Sequence, residues 1–411
     1  MYAFPDILTN AHMKFSDLSS PAFFENPYPF YEQLRAEAAL VPLAPNVVLT
    51  GRYALIEALL HDRRMGKTYM QSVAARYGDS GREQPVFQAL SRMFLMMNPP
   101  MHTRLRSLLM KAFNARQIDL LRDIAQSTAD NLIDSLKPDE ECDLVSDYLF
   151  PLPVHIICRL LDVPVEDGVR LGSAASHLGN ALDSAPMDAE RLAAANKATL
   201  TLQRYFAGVV EQRRLKPGND LVSALVRAEE AGESLSDDEI ISNVLLLFVA
   251  GHETTSNMLG NALIALHRHP AQLALLKRDP SLLSKAVNEC LRFDSSVQMI
   301  VRTALEDVEV EGISIARGTI VFMMVGSANR DPSQFNDPDR LDIERALQGK
   351  LLSFAAGIHH CLGARLATLE LEIGLGTLVS RLPDLRITNL DALQWRQRNT
   401  LRGVESPRAL Y

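Results

Sequence analysis

The chain has 411 residues, of which 47% are hydrophobic and 22% are charged, and its formal net charge is −8. These proportions are typical of a globular protein with a large buried core, and the acidic balance argues against a nucleic-acid-binding protein, which would carry a basic surface. Because no stretch reaches the roughly 18 apolar residues that cross a bilayer and the N-terminus lacks the pattern of a secretory signal, we expect a soluble cytoplasmic protein that binds no membrane.

Helical periodicity dominates the chain, with apolar residues at three- and four-residue steps. The helices that this spacing predicts are, in chain order, Asp119–Leu136, Leu200–Arg214, Ser236–His269, Pro280–Phe293 and Cys361–Leu382. Strand-like alternation is confined to Leu40–Leu49, Val308–Ile315 and Thr319–Val325. Since no linker or internal repeat divides the sequence, we predict a mainly α fold with small β-sheets, built as a single domain over residues 1–411.

The first candidate for ligand binding is the segment that begins Asn98-Pro-Pro. We expect the Asn98 side chain to cap a helix whose first turn contains the prolines. His102 and Arg106 are four residues apart, so they lie on one face of that helix. Two cations on one face suit carboxylates, although each residue alone is more often a solvated surface charge.

The helix predicted from Ser236 has the clearest start signal, because Ser236 and Glu239 form a capping box. The run Ile240 to Ala250 is apolar on nearly every face, which predicts a helix through the middle of the core. Polar residues beyond Ala250 therefore need an explanation.

Those polar residues follow as Ala250-Gly251-His252-Glu253-Thr254. Gly251 would loosen the helix, the Thr254 hydroxyl could donate a proton, and Glu253 could relay protons from solvent. The alternative is a bend in which the threonine bonds to the preceding turn. A buried carboxylate without a partner is costly, which favours a functional Glu253, and we expect His252 to be structural.

Four cysteines lie far apart, and only Cys361 sits in a distinctive setting. The loop Phe354-Ala-Ala-Gly-Ile-His-His-Cys361-Leu-Gly363 leads into the last long helix. A sulfur at a helix N-terminus is stabilised as a thiolate, which lowers its pKa and makes it a metal ligand. An inert buried cysteine is the alternative. A zinc site is excluded because no second ligand pair has usable spacing, and no Cys-x-x-Cys-His pattern for covalent haem occurs.

This loop resembles the cysteine-ligand loop of the cytochrome P450 family, written Phe-x-x-Gly-x-His-x-Cys-x-Gly. Matching segments run in the family's order from Asn98 to the C-terminal end. The resemblance implies the cytochrome P450 fold, in which haem lies between the long central helix and the cysteine loop. It also implies that Cys361 ligates the haem iron, where a thiolate favours O–O cleavage.

Further site residues are implied by the same resemblance. Thr254 and Glu253 match the catalytic pair of the family's oxygen-activating segment. The expected cofactor contacts are Ala250, Gly251, Phe354 and Gly363, together with the propionate ligands His102, Arg106, Arg302 and His359. Glu289, Arg292 and Arg345 match a buried cluster that supports the cysteine loop. The Glu289/Arg292 spacing alone is weak, because it also occurs at Glu32/Arg35.

The substrate pocket is implied only loosely. Its expected walls include Met93, Phe94, Met97, Val297, Met299 and Thr400, although each methionine alone is more often a core residue. The sequence leaves the natural substrate open.

As a function, the resemblance implies a haem-thiolate monooxygenase with haem b as cofactor and O2 as co-substrate. It would hydroxylate or epoxidise an apolar small molecule, such as a polyketide, macrolide or terpenoid secondary metabolite. Electrons from NAD(P)H would come through a separate ferredoxin reductase and ferredoxin to a monomeric enzyme, and an acidic donor could dock on a basic patch formed by Arg104, Lys111, Arg116 and Arg365. A peroxide-driven or isomerising haem-thiolate enzyme and a non-catalytic haem sensor or carrier remain alternatives.

Overall fold

Long helices form most of the chain, as the apolar spacing predicts. The structure is a computed structural model that describes residue 14 and residues 16–113, 115–183, 185–230, 233–346 and 349–411. The α-helices in these ranges are α1 (Pro21–Glu25), α2 (Tyr28–Glu37), α3 (Tyr53–His61), α4 (Tyr69–Tyr77), α5 (Pro85–Ser91), α6 (Met101–Ala112), α7 (Ala115–Asp134), α8 (Pro151–Leu161), α9 (Val165–Asn180), α10 (Ala189–Leu215), α11 (Leu221–Arg227), α12 (Asp237–Arg268), α13 (Pro270–Arg278), α14 (Leu283–Phe293), α15 (Val325–Ala328) and α16 (Ala364–Arg381). The predicted mainly α class is confirmed.

Short strands form several small sheets. They are β1 (Val41–Ala44), β2 (Val47–Thr50), β3 (Met65–Gly66), β4 (Cys142–Asp143), β5 (Glu229–Glu230), β6 (Glu233–Ser234), β7 (Met299–Ala304), β8 (Val308–Val310), β9 (Ile313–Ile315), β10 (Ile320–Met324), β11 (Arg386–Ile387) and β12 (Arg408–Leu410). The largest sheet has the order β1-β2-β10-β7-β3, and β10 pairs parallel to β2 and antiparallel to β7. β11, β12 and β4 form a second sheet, and β5–β6 and β8–β9 pair as two-stranded sheets. The segment predicted as one strand at 40–49 is a hairpin, because the chain reverses at Asn46, which has φ of +58°.

The central helix α12 begins where its capping box predicts. The Glu239 amide donates to Ser236 Oγ over 3.3 Å, and the Ser236 amide donates to Glu239 Oε2 over 2.9 Å. The helix contacts α8, α9, α10, α14 and α16, so it is surrounded by other helices. Most of its side chains from Ile240 to Leu266 are buried, which confirms a helix through the core.

Other helix boundaries differ from those predicted. The helix predicted from Leu200 starts at Ala189, because Asp188 caps it by accepting a hydrogen bond from the Arg191 amide over 2.8 Å. The helix predicted from Cys361 starts at Ala364, with Gly363 as its N-cap. Cys361 therefore lies in the loop before the helix.

No single helix in the described ranges is long and apolar enough to cross a membrane. Segments 145–161 and 165–180 pass the length and composition test only as a pair, with a bend of 114° between them.

Candidate functional site

The loop before α16 turns tightly to present Cys361. The Cys361 amide donates to the carbonyl of Phe354 over 2.9 Å, which closes the loop. Gly357 has φ of +66°, and a Cβ there would lie 2.1 Å from the backbone oxygen of Leu60 in α3, so glycine is required. Ala355 also has a positive φ, +58°. Cys361 is exposed, whereas the other three cysteines are buried.

The Cys361 thiol is not acidified by its surroundings in the polypeptide itself. Part of the Cys361 residue is exposed, but many protein atoms surround its sulfur. The resulting desolvation raises the pKa of the thiol. The backbone N–H of Gly363 and the nearby charge of Arg106 oppose that rise. The predicted lowering of the pKa is therefore wrong for the chain alone, because desolvation of the sulfur outweighs the Gly363 N–H and the charge of Arg106.

Four predicted propionate ligands converge from three elements. His102 and Arg106 come from α6, Arg302 from β7 and His359 from the 3-10 turn Gly357–His359. The rings of His102 and His359 are 4.2 Å apart between centroids. Burial, reinforced by neighbouring cations, lowers the pKa of His102 to about 4 and that of His359 to about 2, and burial alone lowers the pKa of Arg302 to about 10.

Lys67, which follows β3, joins this group and was not predicted. Its Nζ donates to the carbonyl of Val301 over 3.0 Å, and burial, followed by repulsion from Arg302, lowers its pKa well below the usual value. The Lys67 backbone is fixed by Asn98, whose Oδ1 accepts from the Lys67 amide over 2.7 Å and whose Nδ2 donates to the Lys67 carbonyl over 2.8 Å. The prediction that Asn98 caps α6 is therefore wrong: the N-cap is Pro100, without a side-chain bond.

These residues, which we call the cationic cluster (Lys67, His102, Arg106, Arg302 and His359) because each is a base that gains or keeps a positive charge beside an anion, leave buried polar atoms unused. Both ring nitrogens of His102 and of His359, and one terminal nitrogen of Arg106, have no hydrogen-bond partner among the described residues. Buried polar groups are normally satisfied, and buried charges are normally paired. The cluster therefore fits an anionic ligand, and the two propionates of a haem match its donors.

Helix α12 places Ala250 and Thr254 one turn apart; Ala250 is exposed and Thr254 is half-buried, within the mostly buried middle of the helix. The Thr254 hydroxyl donates to the Ala250 carbonyl over 2.7 Å. The helix continues without a break from Asp237 to Arg268, so the predicted loosening at Gly251 is not observed. Gly251 faces α8, where a Cβ would lie 3.2 Å from Ile157 Cδ1. Its small size therefore serves the packing of α12 against α8.

Glu253 has partners that the sequence did not reveal. The carboxylate is 5% exposed, accepts a hydrogen bond from Arg398, and lies 3.8 Å from Arg396 Nη1. Glu253 was expected to lack a partner, and that expectation is wrong, because both arginines pair with it. The sequence did not reveal the pairing, since the two arginines lie more than 140 residues further along the chain. The adjacent His252 is fully buried, with Nδ1 2.6 Å from the Phe248 carbonyl and with Nε2 unpartnered among the described residues.

The predicted support cluster is assembled and fully bonded. Glu289 is 1% exposed and accepts from Arg292 Nε and Nη2, each over 2.8 Å, and from Arg345 Nε over 3.0 Å. The remaining Arg292 nitrogen, Nη1, donates to the carbonyls of Pro338 and Asn329 over 2.8 and 3.0 Å. Each charge in this cluster thus faces an opposite charge or a carbonyl.

Asn329 connects that cluster to the cysteine loop. Its Nδ2 donates to Ser353 Oγ over 2.9 Å, and its Oδ1 accepts from the Leu352 amide over 3.0 Å. Ser353 in turn donates to the carbonyl of Leu291 over 2.7 Å. Since Ser353 precedes Phe354, the chain of bonds from Arg292 ends where the cysteine loop begins. Sequence reasoning missed both polar residues, because no charge pattern marks them.

Four of the predicted wall residues fall into two groups. Phe94 lies with its ring centroid 5.9 Å from that of His102, and Met97 packs partly buried beside it. Val297 and Thr400 are neighbours, since Val297 bridges to Leu401 and the Gln298 amide donates to the Thr400 carbonyl over 2.9 Å.

Two of the predicted wall residues do not belong with these. Met299 points to the face of the large sheet opposite Arg302, into a cluster with Leu18 and Phe23, so its assignment to the pocket is wrong. Because successive side chains along a strand point to opposite faces, Met299, three residues before Arg302, lies on the other face of the sheet. Met93 is 1% exposed and enclosed by the main core.

The proposed basic patch is partly neutralised. Arg104 pairs with Glu239 over 2.5 Å and Arg365 pairs with Asp119 over 2.7 Å. Lys111 is exposed, and the side chain of Arg116 lies outside the described residues.

A mainly helical fold, an exposed loop cysteine and an unpaired cationic cluster together define the haem-thiolate class of proteins. The comparisons agree. The Cytochrome P450 family model matches residues 184–280 and 278–383. The cytochrome P450 133B1 of Xylella fastidiosa (strain 9a5c) is 56% identical over 394 residues, which are 96% of this chain and 98% of that protein.

Two further matches are more distant. The vitamin D(3) 25-hydroxylase of Pseudonocardia autotrophica is 38% identical, over 97% of this chain and 96% of that protein. The crystal structure of P450BioI in complex with hexadec-9Z-enoic acid ligated acyl carrier protein has a TM-score of 0.88 at 32% identity, covering 95% of this chain and 99% of that chain. The chain belongs to the cytochrome P450 family, and it is a monooxygenase with a haem cofactor and O2 as co-substrate.

Proposed function

We propose that this protein is a single-domain, monomeric haem b monooxygenase that hydroxylates or epoxidises an apolar small molecule. Its electrons come from NAD(P)H through a separate ferredoxin reductase and ferredoxin. The observation that carries the proposal is the cationic cluster, in which the ring nitrogens of His102 and His359 and one nitrogen of Arg106 have no partner among the described residues, near an exposed cysteine.

In this proposal Cys361 is the iron ligand, with Phe354 and Gly363 shaping its loop. The Phe354 carbonyl holds the Cys361 backbone, and the Gly363 N–H donates to the sulfur. The predicted ligands His102, Arg106, Arg302 and His359, with Lys67 added, bind the propionates. Glu289, Arg292 and Arg345 keep the loop in position through Asn329 and Ser353. When bound, the haem supplies the activation of O2 that the side chains of the protein cannot perform.

On the opposite side, Ala250 and Thr254 face the cofactor from α12. The Thr254 hydroxyl donates to the Ala250 carbonyl over 2.7 Å, and by rotating away from that carbonyl it would supply a proton on the cofactor side of α12, which Glu253 would replenish from solvent. A carboxylate paired with Arg398 has to exchange that partner to carry a proton.

The substrate is proposed to be a secondary metabolite such as a polyketide, macrolide or terpenoid. Phe94, Met97, Val297 and Thr400 give an apolar wall with one hydroxyl, and the relatives named above include a vitamin D(3) hydroxylase and a protein solved with an acyl chain. Shifts of the haem band towards the high-spin position, across a panel of apolar metabolites, will rank the candidates.

The test of the assignment is the absorption spectrum of the reduced protein under carbon monoxide. We expect the band of thiolate-ligated haem in the native protein and its loss in Cys361→Ser. Cys142→Ser is the matched control, since Cys142 is a buried cysteine on β4 and should retain the band. A native protein without the band, or a Cys361→Ser variant that keeps it, would refute the proposal.

A second measurement separates the proposed electron source from a peroxide-driven enzyme. Product should form with NAD(P)H, ferredoxin reductase and ferredoxin. Turnover with hydrogen peroxide alone at an equal or higher rate would favour the peroxide-driven alternative.

A further inference from the structure

The partner of Glu253 comes from a turn near the C-terminal end that also contacts α9. This turn is closed by a bridge between Trp395 and Val404 and by the Arg396 amide, which donates to the Gly403 carbonyl over 2.9 Å. On one side it is anchored to the segment 296–298, because the Arg402 amide donates to the Ser296 carbonyl over 2.7 Å. Arg398 projects from the other side.

Arg398 joins three separate parts of the chain. Its Nη1 donates to Glu253 Oε1 on α12, and its Nη2 donates over 3.0 Å to the carbonyl of Gly179, in the last turn of α9. Its Nε lies 3.9 Å from Asp183 in the connection between α9 and α10, and Asp183 also accepts from the Asn399 amide over 3.2 Å. The side chains of Arg398 and Glu253 are only 11% and 6% exposed.

Helix α9 approaches Glu253 so closely that a side chain on Gly179 would have to displace the carboxylate. A Cβ on Gly179 would lie 2.8 Å from Glu253 Oε2. The end of α9, the carboxylate and the guanidinium thus form one packed unit. A buried carboxylate and a buried guanidinium are each costly without the other, so the unit is stable only when complete.

We propose that Arg398 is a positioning residue that ties the end of α9 to Glu253, so that closing α9 over α12 and fixing the carboxylate occur together. The consequence for proton relay rests on the proposed function, whereas the structural link does not. The planar guanidinium suits this role because it can donate to two acceptors in different directions, which a lysine ammonium at the end of a flexible stem does less well.

The test compares Arg398→Gln, Arg398→Lys and the matched control Arg396→Gln in the haem-loaded protein. Amide hydrogen exchange at residues 177–183 should become roughly tenfold faster or more in Arg398→Gln, because a charge-assisted bond across the contact is lost. Arg396 lies 3.8 Å from the carboxylate, and its backbone bond stays within the turn, so Arg396→Gln should leave exchange at α9 near the native rate.

The carboxylate is followed separately by the infrared stretch of carbon monoxide bound to the ferrous protein, which responds to the local electric field and needs no substrate. We expect a shifted band in Arg398→Gln and a return towards the native frequency in Arg398→Lys, which restores the charge. If Arg398→Gln does not fold, Gly179→Ala gives the second test, since its Cβ pushes α9 from Glu253 and should speed exchange with Arg398 present.

Unchanged exchange at α9 in Arg398→Gln or Gly179→Ala would overturn the proposed link. Faster exchange with an unshifted carbon monoxide band in Arg398→Gln would overturn the connection to Glu253. Failure of the proposed function is distinguishable, because it would appear as a missing thiolate band in the native protein, whereas amide exchange reports on the link in either case.

Discussion

Two groups of buried charges in this protein differ in how completely they are paired. In the support cluster, Glu289 accepts from two arginines, and Arg292 uses its remaining donors on backbone carbonyls. In the cationic cluster, His102 and His359 have no partner for either ring nitrogen among the described residues, and the pKa of each is pushed down by burial and by other cations. Both groups are buried, but only the first is electrically complete within the polypeptide.

The comparison separates charges that hold the fold from charges that await a ligand. A buried ion pair with every donor satisfied has no capacity left for a ligand, so its role is to hold the chain. Buried basic groups without anions destabilise the folded chain. Such a group is expected where an anionic ligand binds, because the ligand then stabilises the folded protein. The following substitutions should therefore change stability in opposite directions in the two clusters.

The largest effect is expected for Glu289→Gln. Removing the carboxylate charge leaves Arg292 and Arg345 facing each other without an anion, and breaking a buried pair in this way costs roughly 3–5 kcal/mol. We expect a large fall in the free energy of unfolding, measured by denaturant titration, or a loss of folded protein on expression.

Glu140→Gln is the matched control for that substitution. Glu140 pairs with Lys137 three residues away over 3.2 Å, but both side chains are well exposed, at 65% and 72%. Exposed pairs contribute little, so its unfolding should stay close to that of the native protein. Equal stability of the two variants would contradict the structural role of Glu289.

An intermediate effect is expected for Arg302→Met. Unlike Glu289→Gln, it should not lower the stability of the haem-free protein, but it should weaken the binding of haem. Removing Arg302 relieves the desolvation cost of a buried guanidinium, so the haem-free chain should be no less stable. Haem should be released about 10–100 times faster, because a hydrogen bond to a charged group contributes roughly 1.5–3 kcal/mol. Transfer of haem to an excess of a haem-scavenging apoprotein measures the rate.

Lys67 was found only in the structure, and Lys67→Met tests whether it binds the same ligand as the other residues of the cationic cluster. It should change haem release in the same direction as Arg302→Met, since its Nζ donates to the Val301 carbonyl beside Arg302. If both variants release haem at the native rate, or if either substitution markedly destabilises the haem-free chain, Lys67 and Arg302 hold the fold as the support cluster does and do not bind the haem.

The parts that were predicted from sequence are those with local signals. The capping box at Ser236 and the apolar run after it predict α12 to within a residue, and the loop pattern around Cys361 identifies the candidate ligand. Contacts between distant segments carry no such signal. Lys67 and Arg398 reach the site through tertiary packing, and neither lies in a recognisable motif.

The errors also have physical causes. Met299 was assigned to the pocket by position in the chain, but one step along a strand exchanges the two faces of a sheet. Gly251 was expected to loosen α12, but the helix is unbroken there because the missing side chain lets Ile157 of α8 pack closely against it. The thiol pKa was predicted from the helix N-terminus alone, but desolvation of the sulfur has the larger effect and raises it. Motif spacing thus located the segments but not the direction of each side chain.

The smallest expected effect concerns Glu370 on α16, a buried charge that belongs to neither cluster. Burial raises its pKa well above the usual value, with a bond from Thr255 opposing the rise, and Oε2 has no partner among the described residues. Folding therefore favours the protonated acid. The contribution of this protonated acid to the stability of the native protein is complete below the pKa of an unfolded glutamate, about 4.3, and falls as the pH rises towards the folded pKa.

Glu370→Gln removes the ionisable proton, so its free energy of unfolding relative to the native protein should rise by about 1 kcal/mol between pH 5 and pH 6. Denaturant unfolding at the two pH values measures this difference, with Glu372→Gln on the same helix as control. A pH-independent difference for Glu370→Gln would mean that the carboxyl is ionised in the folded protein and has an anion-binding partner, as in the support cluster.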